Sequence, residues 1–362
     1  MLSLECGHGF FVLGLLIFVR CPLKISHRGV FAMEMWIRFW PFLAVFSIMV
    51  TWEFLSPRRI LSQRRSERWP TNLGLTLLNV VLVWTLVGAV AYLAATFAAK
   101  QQIGLLHWVS APFWFAVPVT ILVLDFALYI QHRLFHTFSL LWRLHQVHHA
   151  DLGFDATTGL RFHPIEIFLS LAYKAVVIIA LGAPVWAAIA FEIILNATSV
   201  FNHGNVSLPE RLDRRLRWFL VTPDMHRIHH STRAVETNAN FGFSVPWWDR
   251  LCGTYRAEPA LGQLGLEIGL SYYRASFHLG QLLLLPFRTR MPLEKAWKEI
   301  SPLQLCEMLG EENPPYVLDV RDLGEFTGEL GHIDGAHLIP VSDLDKRMNE
   351  LTPCRSQTVV LV

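Results

Sequence analysis

From Leu73 to Ala99 the chain runs 27 residues without an Asp, Glu, Lys or Arg. At a helical rise of ~1.5 Å per residue, such a run outspans ~30 Å of hydrocarbon and is expected to cross a membrane with tilt to spare. Residues 39–55 and about 109–131 repeat the pattern, each with a single acid near its end, Glu53 and Asp125. Two shorter apolar runs, about 165–181 and 184–201, flank Gly182-Ala183-Pro184, a turn signal. Residues 9–19 are apolar but too short to span, and Arg20, Lys24 and Arg28 lie on the wrong flank for a secretory signal. Met33 or Met35 is a more natural start for the first span, so residues 1–35 read as an N-terminal extension. The pattern predicts an all-α membrane protein, a transmembrane helical bundle with a helical cap.

Loop charge sets the expected orientation. The loop at 57–72 carries Arg58, Arg59, Arg64, Arg65 and Arg68, whereas the loop at 100–108 carries only Lys100. The first is therefore expected on the cytoplasmic side of a multi-pass protein, in a bacterial inner membrane. Composition agrees: 53% of the 362 residues are hydrophobic and 17% charged, below the roughly 25% of soluble domains. A net charge of +2 and the lack of a basic stripe exclude a nucleic-acid partner. Five scattered cysteines without a CxxC pair exclude a thiolate zinc ribbon and fit a reducing compartment.

The chemistry lies in the histidines. Ten of sixteen fall between His132 and His230. His132 and His136 are spaced H-x3-H; His145, His148 and His149 are spaced H-x2-H-H, and His226, His229 and His230 repeat that spacing. Residues i, i+3 and i+4 share one face of a helix, so each group aims its imidazoles at one place. Eight such ligands exceed the needs of one ion, and two ions are the economical answer; His163 and His203 would bring the count to about five per metal. The orientation above also gathers all ten on the cytoplasmic side. Histidine spacing alone leaves zinc or iron open.

Candidate supporting groups are Asp125, Asn205, Asp224 and Asp249, with Asp151 and Glu166 also near the motifs. Asp125 stands out because a carboxylate in a span is costly without a partner. Glu192 is similarly placed, with Lys174 across the hairpin as a partner. Trp114, Phe115, Phe126 and Phe168 are candidate walls of a cavity opening to the bilayer.

The segments LDFALYIQHRLFH (124–136), LLWRLHQVHHADLGFDATTGLRFHPIE (140–166), FNHGN (201–205), VTPDMHRIHHS (221–231) and NANFGFSVPWWDRLCGTY (238–255) resemble the fatty acid hydroxylase/sterol desaturase superfamily over about residues 36–260. The resemblance implies a membrane non-haem di-iron oxygenase that hydroxylates or desaturates a lipid, with O2 as co-substrate. It carries the iron-ligand role onto His132, His136, His145, His148, His149, His226, His229 and His230, supports His203, and extends to His163. It also implies a separate electron donor of ferredoxin or cytochrome type. A di-zinc or other metal-dependent hydrolase on the same scaffold is the alternative.

Residues 261–298 read as a linker. From 299 to 362, Asp319-Val-Arg321, Glu325-Phe326, Gly331-His332-Ile333 and Ile339-Pro340 resemble the first half of a rhodanese domain, a partial α/β segment. The family's nucleophile loop would follow residues 358–362, so the segment is expected to be inactive as a sulfurtransferase and to be a truncated domain. A redox or sulfur-relay adaptor acting through this tail is a third reading.

Overall fold

The computed structural model describes residues 27–86, 89–274, 276–288, 300–311, 313–354 and 358–362. The expectations for residues 1–26 lie outside them. The chain divides into two compact units, Met1–Pro292 and Leu293–Val362.

The first unit is helical. Its elements in order are α1 (His27–Leu55), α2 (Arg65–Leu86), α3 (Val90–Gln101), α4 (Leu105–Trp108), α5 (Phe113–Thr137), α6 (Ser139–His149), α7 (Pro164–Leu181), α8 (Val185–Asn202), α9 (Glu210–Leu216) and α10 (Pro223–His229). Among the described residues, five stretches are long and apolar enough to cross a membrane: Trp36–Leu55, Arg65–Trp108, Phe113–Thr137, Pro164–Leu181 and Val185–Asn202. The chain is a membrane protein. The apolar run 73–99 is not one helix: a non-helical Ala89 precedes α3. Hydropathy reports where the chain is greasy and is blind to such a restart. Arg68, expected in a loop, lies within α2 and is buried.

The core of the spans joins α3, α5, α7 and α8. Ala91, Ala94, Ala95 and Ala98 are buried on α3, and small residues at this spacing let helix backbones approach closely. Around them pack Leu106, Ala116, Leu124, Leu128, Ile178, Leu181, Ala188 and Phe191. At one end of the bundle, Gly182 closes α7 with φ +69°, and a Cβ at Gly104 would stand 2.2 Å from the Gly182 nitrogen. Only a glycine allows that approach. Deeper in the bundle the Glu192 carboxylate of α8 accepts from Lys174 Nζ of α7 at 2.6 Å and pairs with Arg38 of α1. This ion pair ties three helices together where an isolated charge would be costly.

Beyond α10 the chain stays in this unit. Residues 262–288, expected in the linker, bury Leu270, Phe277, Leu282 and Leu285 against Leu75, Trp142 and Val147. The reason is their apolar spacing: the helix Leu279–Arg288 presents one greasy face to α6 and α2.

The second unit is a small α/β segment. Ser301 and Gln304 form a reciprocal capping box at the start of helix Pro302–Leu309. The parallel sheet has β1 (Tyr316–Asp319) at its centre, between β2 (His337–Leu338) and β3 (Val359–Leu361).

Candidate metal centre

Four helices end at one place. The last turns of α5 carry His132 and His136; an extended Phe138 then turns the chain into α6, which ends with His145, His148 and His149. His203 caps the C-terminus of α8. Thr222 caps α10 by accepting the Met225 N–H, Pro223 occupies its first turn, and His226, His229 and His230 follow. C-terminal helix ends carry partial negative charge, so their convergence favours a cation.

Nine histidines meet there in two sets. His132, His136, His145, His149 and His229 form one; His148, His203, His226 and His230 form the other. Within each set the ligand atoms lie within 4.8 Å of one another, and all nine side chains are buried. The sets interlock, with His149 stacked on His230 at 4.5 Å between ring centres.

Whether these rings fit metal ions is answered by their lone pairs. His132 donates its Nδ1–H to Phe241 O at 2.8 Å, and His145 turns its Nδ1 to Glu166 Oε1 at 2.6 Å. In each ring Nε2 is then the bare nitrogen, yet the two Nε2 atoms stand 3.0 Å apart. Two lone pairs face each other unless a cation lies against them. His203 repeats the situation: its Nδ1–H donates to Ser199 O at 2.7 Å, while its Nε2 faces those of His148, His226 and His230 at 3.1, 3.1 and 3.2 Å. Both ring nitrogens of His149, Nδ1 of His148, His226 and His230, and Nε2 of His229 are buried without a partner. Burial, and after it the neighbouring imidazoles, pushes His148, His149, His226, His229 and His230 well below the ordinary histidine value. Burial takes His203 down to about 4. The rings are therefore neutral, the form that binds metal, and the residues present fit two ions.

His163 stands outside both sets. As the N-cap of α7, with Pro164 following, it accepts the Ile165 N–H at Nδ1, and its Nε2 lies 3.3 Å from Leu283 O. Both nitrogens are engaged away from the centre. Among the acids and amides expected in support, Asp125, Asn205 and Asp224 spend their hydrogen bonds on groups other than the histidines. Asp125 accepts from Ser244 N and Trp248 Nε1; Asn205 clasps the backbone of Arg59; Asp224 pairs with Arg58 and Arg227. Asp249 acts on the loop that carries Phe241, accepting the N–H groups of Phe241 and Gly242 at 2.8 Å. Of the expected wall residues, Trp114 and Phe115 lie in the first turn of α5, five turns from His132, and are exposed.

Other contacts carry no sequence signal. Phe162 stacks on His148 with ring centres 4.5 Å apart and planes 9° from parallel, and Phe243 leans on His132 at 5.0 Å. Phe243 also packs against the span core, so it joins the histidine cluster to the packing of the membrane helices. The segment joining His149 to α7 is held by Arg68, which donates to Asp151 at 2.6 and 2.8 Å and to Asp155 at 2.7 Å. Asn72 adds bonds to Asp151 and Thr157, each of 3.0 Å.

Residues 117–254 match the model of the fatty acid hydroxylase family. An ornithine lipid hydroxylase of Rhizobium tropici is 27% identical over 250 residues, covering 67% of this chain and 73% of the relative. Alkylglycerol monooxygenases of Xenopus tropicalis and Homo sapiens are 27% and 25% identical over 158 residues. That segment is 42% of this chain but only 32% and 33% of those longer proteins. No solved structure matches the chain. Residues 117–254, which hold all nine converging histidines, therefore form a fatty acid hydroxylase domain, and with it the chain falls among the membrane-bound oxidoreductases.

Proposed function

We propose that this chain hydroxylates a C–H bond of a membrane lipid, using two iron ions held by the five- and four-histidine sets. The observation that carries the reading is the convergence of nine neutral imidazoles in two adjoining sets. Hydroxylation places one oxygen atom of O2 in the C–H bond and reduces the other to water, consuming two electrons and two protons. Iron supplies the O2 activation that protein side chains cannot. The protein's part is to fix the ligands, keep the pocket dry and admit the lipid from the bilayer. Fixing falls to the helix ends and their hydrogen bonds, and dryness to Phe162, Phe243, Phe154 and Trp142 around the rings. The electrons come from a separate protein of ferredoxin or cytochrome type, and the histidines lie on the cytoplasmic side, where the arginine-rich segment 57–72 is placed by loop charge. The names of the relatives favour a polar glycerol- or amino-acid-linked lipid as substrate class; desaturation shares the same first hydrogen abstraction. Asp249 and Glu166 support the ligands. The rhodanese-like tail takes no part in this chemistry.

The test is metal analysis of protein purified anaerobically, followed by turnover with lipid, O2 and reductant. Two irons per chain, one O2 consumed per lipid hydroxylated, and loss of turnover in His148→Ala are expected. Two zincs with activity that needs no reductant would establish the hydrolase instead.

A further inference from the structure

The two sets of histidines are supported unequally. In the five-histidine set three rings have their remote nitrogen held by a protein acceptor: His132 by Phe241 O, His229 by Ala239 O at 2.8 Å, and His145 by the Glu166 carboxylate. In the four-histidine set only His203 is held in this way, by Ser199 O, and Nδ1 of His148, His226 and His230 has no partner. Among the described residues, the one carboxylate that reaches a ligand ring serves the five-histidine set.

Two of those three acceptors sit on one short loop. Ala239 and Phe241 flank Asn240, whose backbone is left-handed with φ +55°. The loop is clamped on both sides. Asn240 donates from Nδ2 to Met225 O and Arg256 O, each at 2.9 Å, and accepts Arg256 N at 2.8 Å. Asp249, fully buried, takes the next two amides, those of Phe241 and Gly242, and the Thr254 hydroxyl at 2.7 Å. With its proton committed to Asp249, that hydroxyl accepts the Tyr129 O–H at 2.9 Å. A Cβ at Gly242 would stand 2.8 Å from Asp249 Oδ2, so the amides and the carboxylate meet without clearance. The clamp thus sets two carbonyls, which set two imidazoles delivered by different helices, α5 and α10.

Resting on the two-metal reading above, we propose that the centre is asymmetric: the five-histidine position binds its ion tighter, and Asp249 and Glu166 act as its positioning residues. An imidazole whose remote N–H is already held loses less freedom on binding an ion. One that donates to a carboxylate is also a stronger donor toward the metal, and loss of such outer partners typically costs 10–100-fold in affinity. The four-histidine position, with three unheld rings, is the weaker and more exchangeable one.

The test is titration of Co(II) into the full-length, chelator-stripped protein in detergent, with a competing chelator and visible absorption as readouts. Co(II) in a five-coordinate site absorbs more weakly than in a four-coordinate one, so the order of filling can be read. Two unequal steps are expected, the weakly absorbing one first. Asp249→Asn removes the anionic double acceptor, and Glu166→Ala removes the carboxylate. Each should weaken the first step about 10–100-fold and leave the second within a few-fold. Glu166→Gln, which keeps a neutral acceptor, should fall between Glu166→Ala and the parent. Asp125→Asn, on α5, where the carboxylate accepts from Ser244 N and Trp248 Nε1 just past the loop, is the structural control and should lower stability without selective loss of the first step. A single step, filling of the four-coordinate site first, or equal weakening of both steps by both variants would overturn the asymmetry while leaving two metals in place. Binding that survives both His136→Ala and His148→Ala would sink the two-metal reading itself. Should Asp249→Asn fail to fold, the Glu166 series carries the test alone.

Discussion

At the scale of single residues, most of the cost of this site is the burial of polar groups, and each is bearable through a specific partner. Arg68 has its guanidinium inside the fold against Asp151 and Asp155. Truncating one partner of such a network strands the other charges, at roughly 3–5 kcal/mol. Arg68→Ala should therefore lower thermal stability in detergent by an amount of that order, and Arg68→Lys by less. Equal melting of Arg68→Ala and the parent would show that the acids are not held through this contact. The imidazoles make a second prediction. In the metal-free protein His203 protonates only near pH 4, whereas in the unfolded chain it protonates near 6.5. The unfolded state thus binds more protons between those values. Stability is fully present above about pH 6.5 and is lost as pH falls toward about 4. Melting temperatures of stripped protein between pH 8 and 5 should fall on acidification, and more steeply than those of metal-loaded protein. A flat profile would mean the rings are not buried neutral.

Elements explain what the sequence could and could not disclose. The triplets and the H-x3-H pair were legible because helical spacing is a local property, and α5, α6 and α10 realise it within a single turn or two. His203 was legible through its motif. His163 was misleading for a local reason: a residue before Pro164 at a helix start is an N-cap position, and a capping side chain points back at its own helix. The clamp on the 239–242 loop was illegible because its acceptors are backbone carbonyls, which every residue has. Arg68 looked like a loop charge because its partners lie more than 80 residues away. Glu192 was legible as an anomaly, and its pairing gives a prediction about helix assembly. Its carboxylate bridges Lys174 of α7 and Arg38 of α1, so Glu192→Ala strips an anion from between two cations. Lys174→Ala leaves Glu192 still paired to Arg38. The first should destabilise the bundle by on the order of 3–5 kcal/mol and the second by less. Thermal denaturation of the two variants side by side decides; the reverse order would show that Arg38 contributes no anchoring.

Across the whole molecule, chemistry and support are concentrated in one unit. All nine converging histidines, the carbonyls that orient them, Asp249, Glu166 and the Arg68 network lie between residues 68 and 254. The hydrophobic packing that completes this unit extends to Leu285, beyond the boundary at about 260 that the family resemblance suggested. The α/β segment that follows has its own small core, in which Val317, Leu318 and Ile339 are buried. A chain ending after Pro292 is therefore expected to keep two metals and full lipid turnover with added reductant. One ending after residue 260 should not, because it exposes the apolar side of Leu75, Trp142 and Val147 beside the histidines of α6. Burying a large apolar side chain is worth ~1.5–3 kcal/mol, so removal of Leu270, Phe277, Leu282 and Leu285 together is comparable to the whole ~5–15 kcal/mol margin of many folded domains. The pair of truncations separates two roles for the tail. If the Pro292 chain loses turnover but keeps its metals, residues 293–362 take part in electron delivery; if it loses the metals as well, they support the fold.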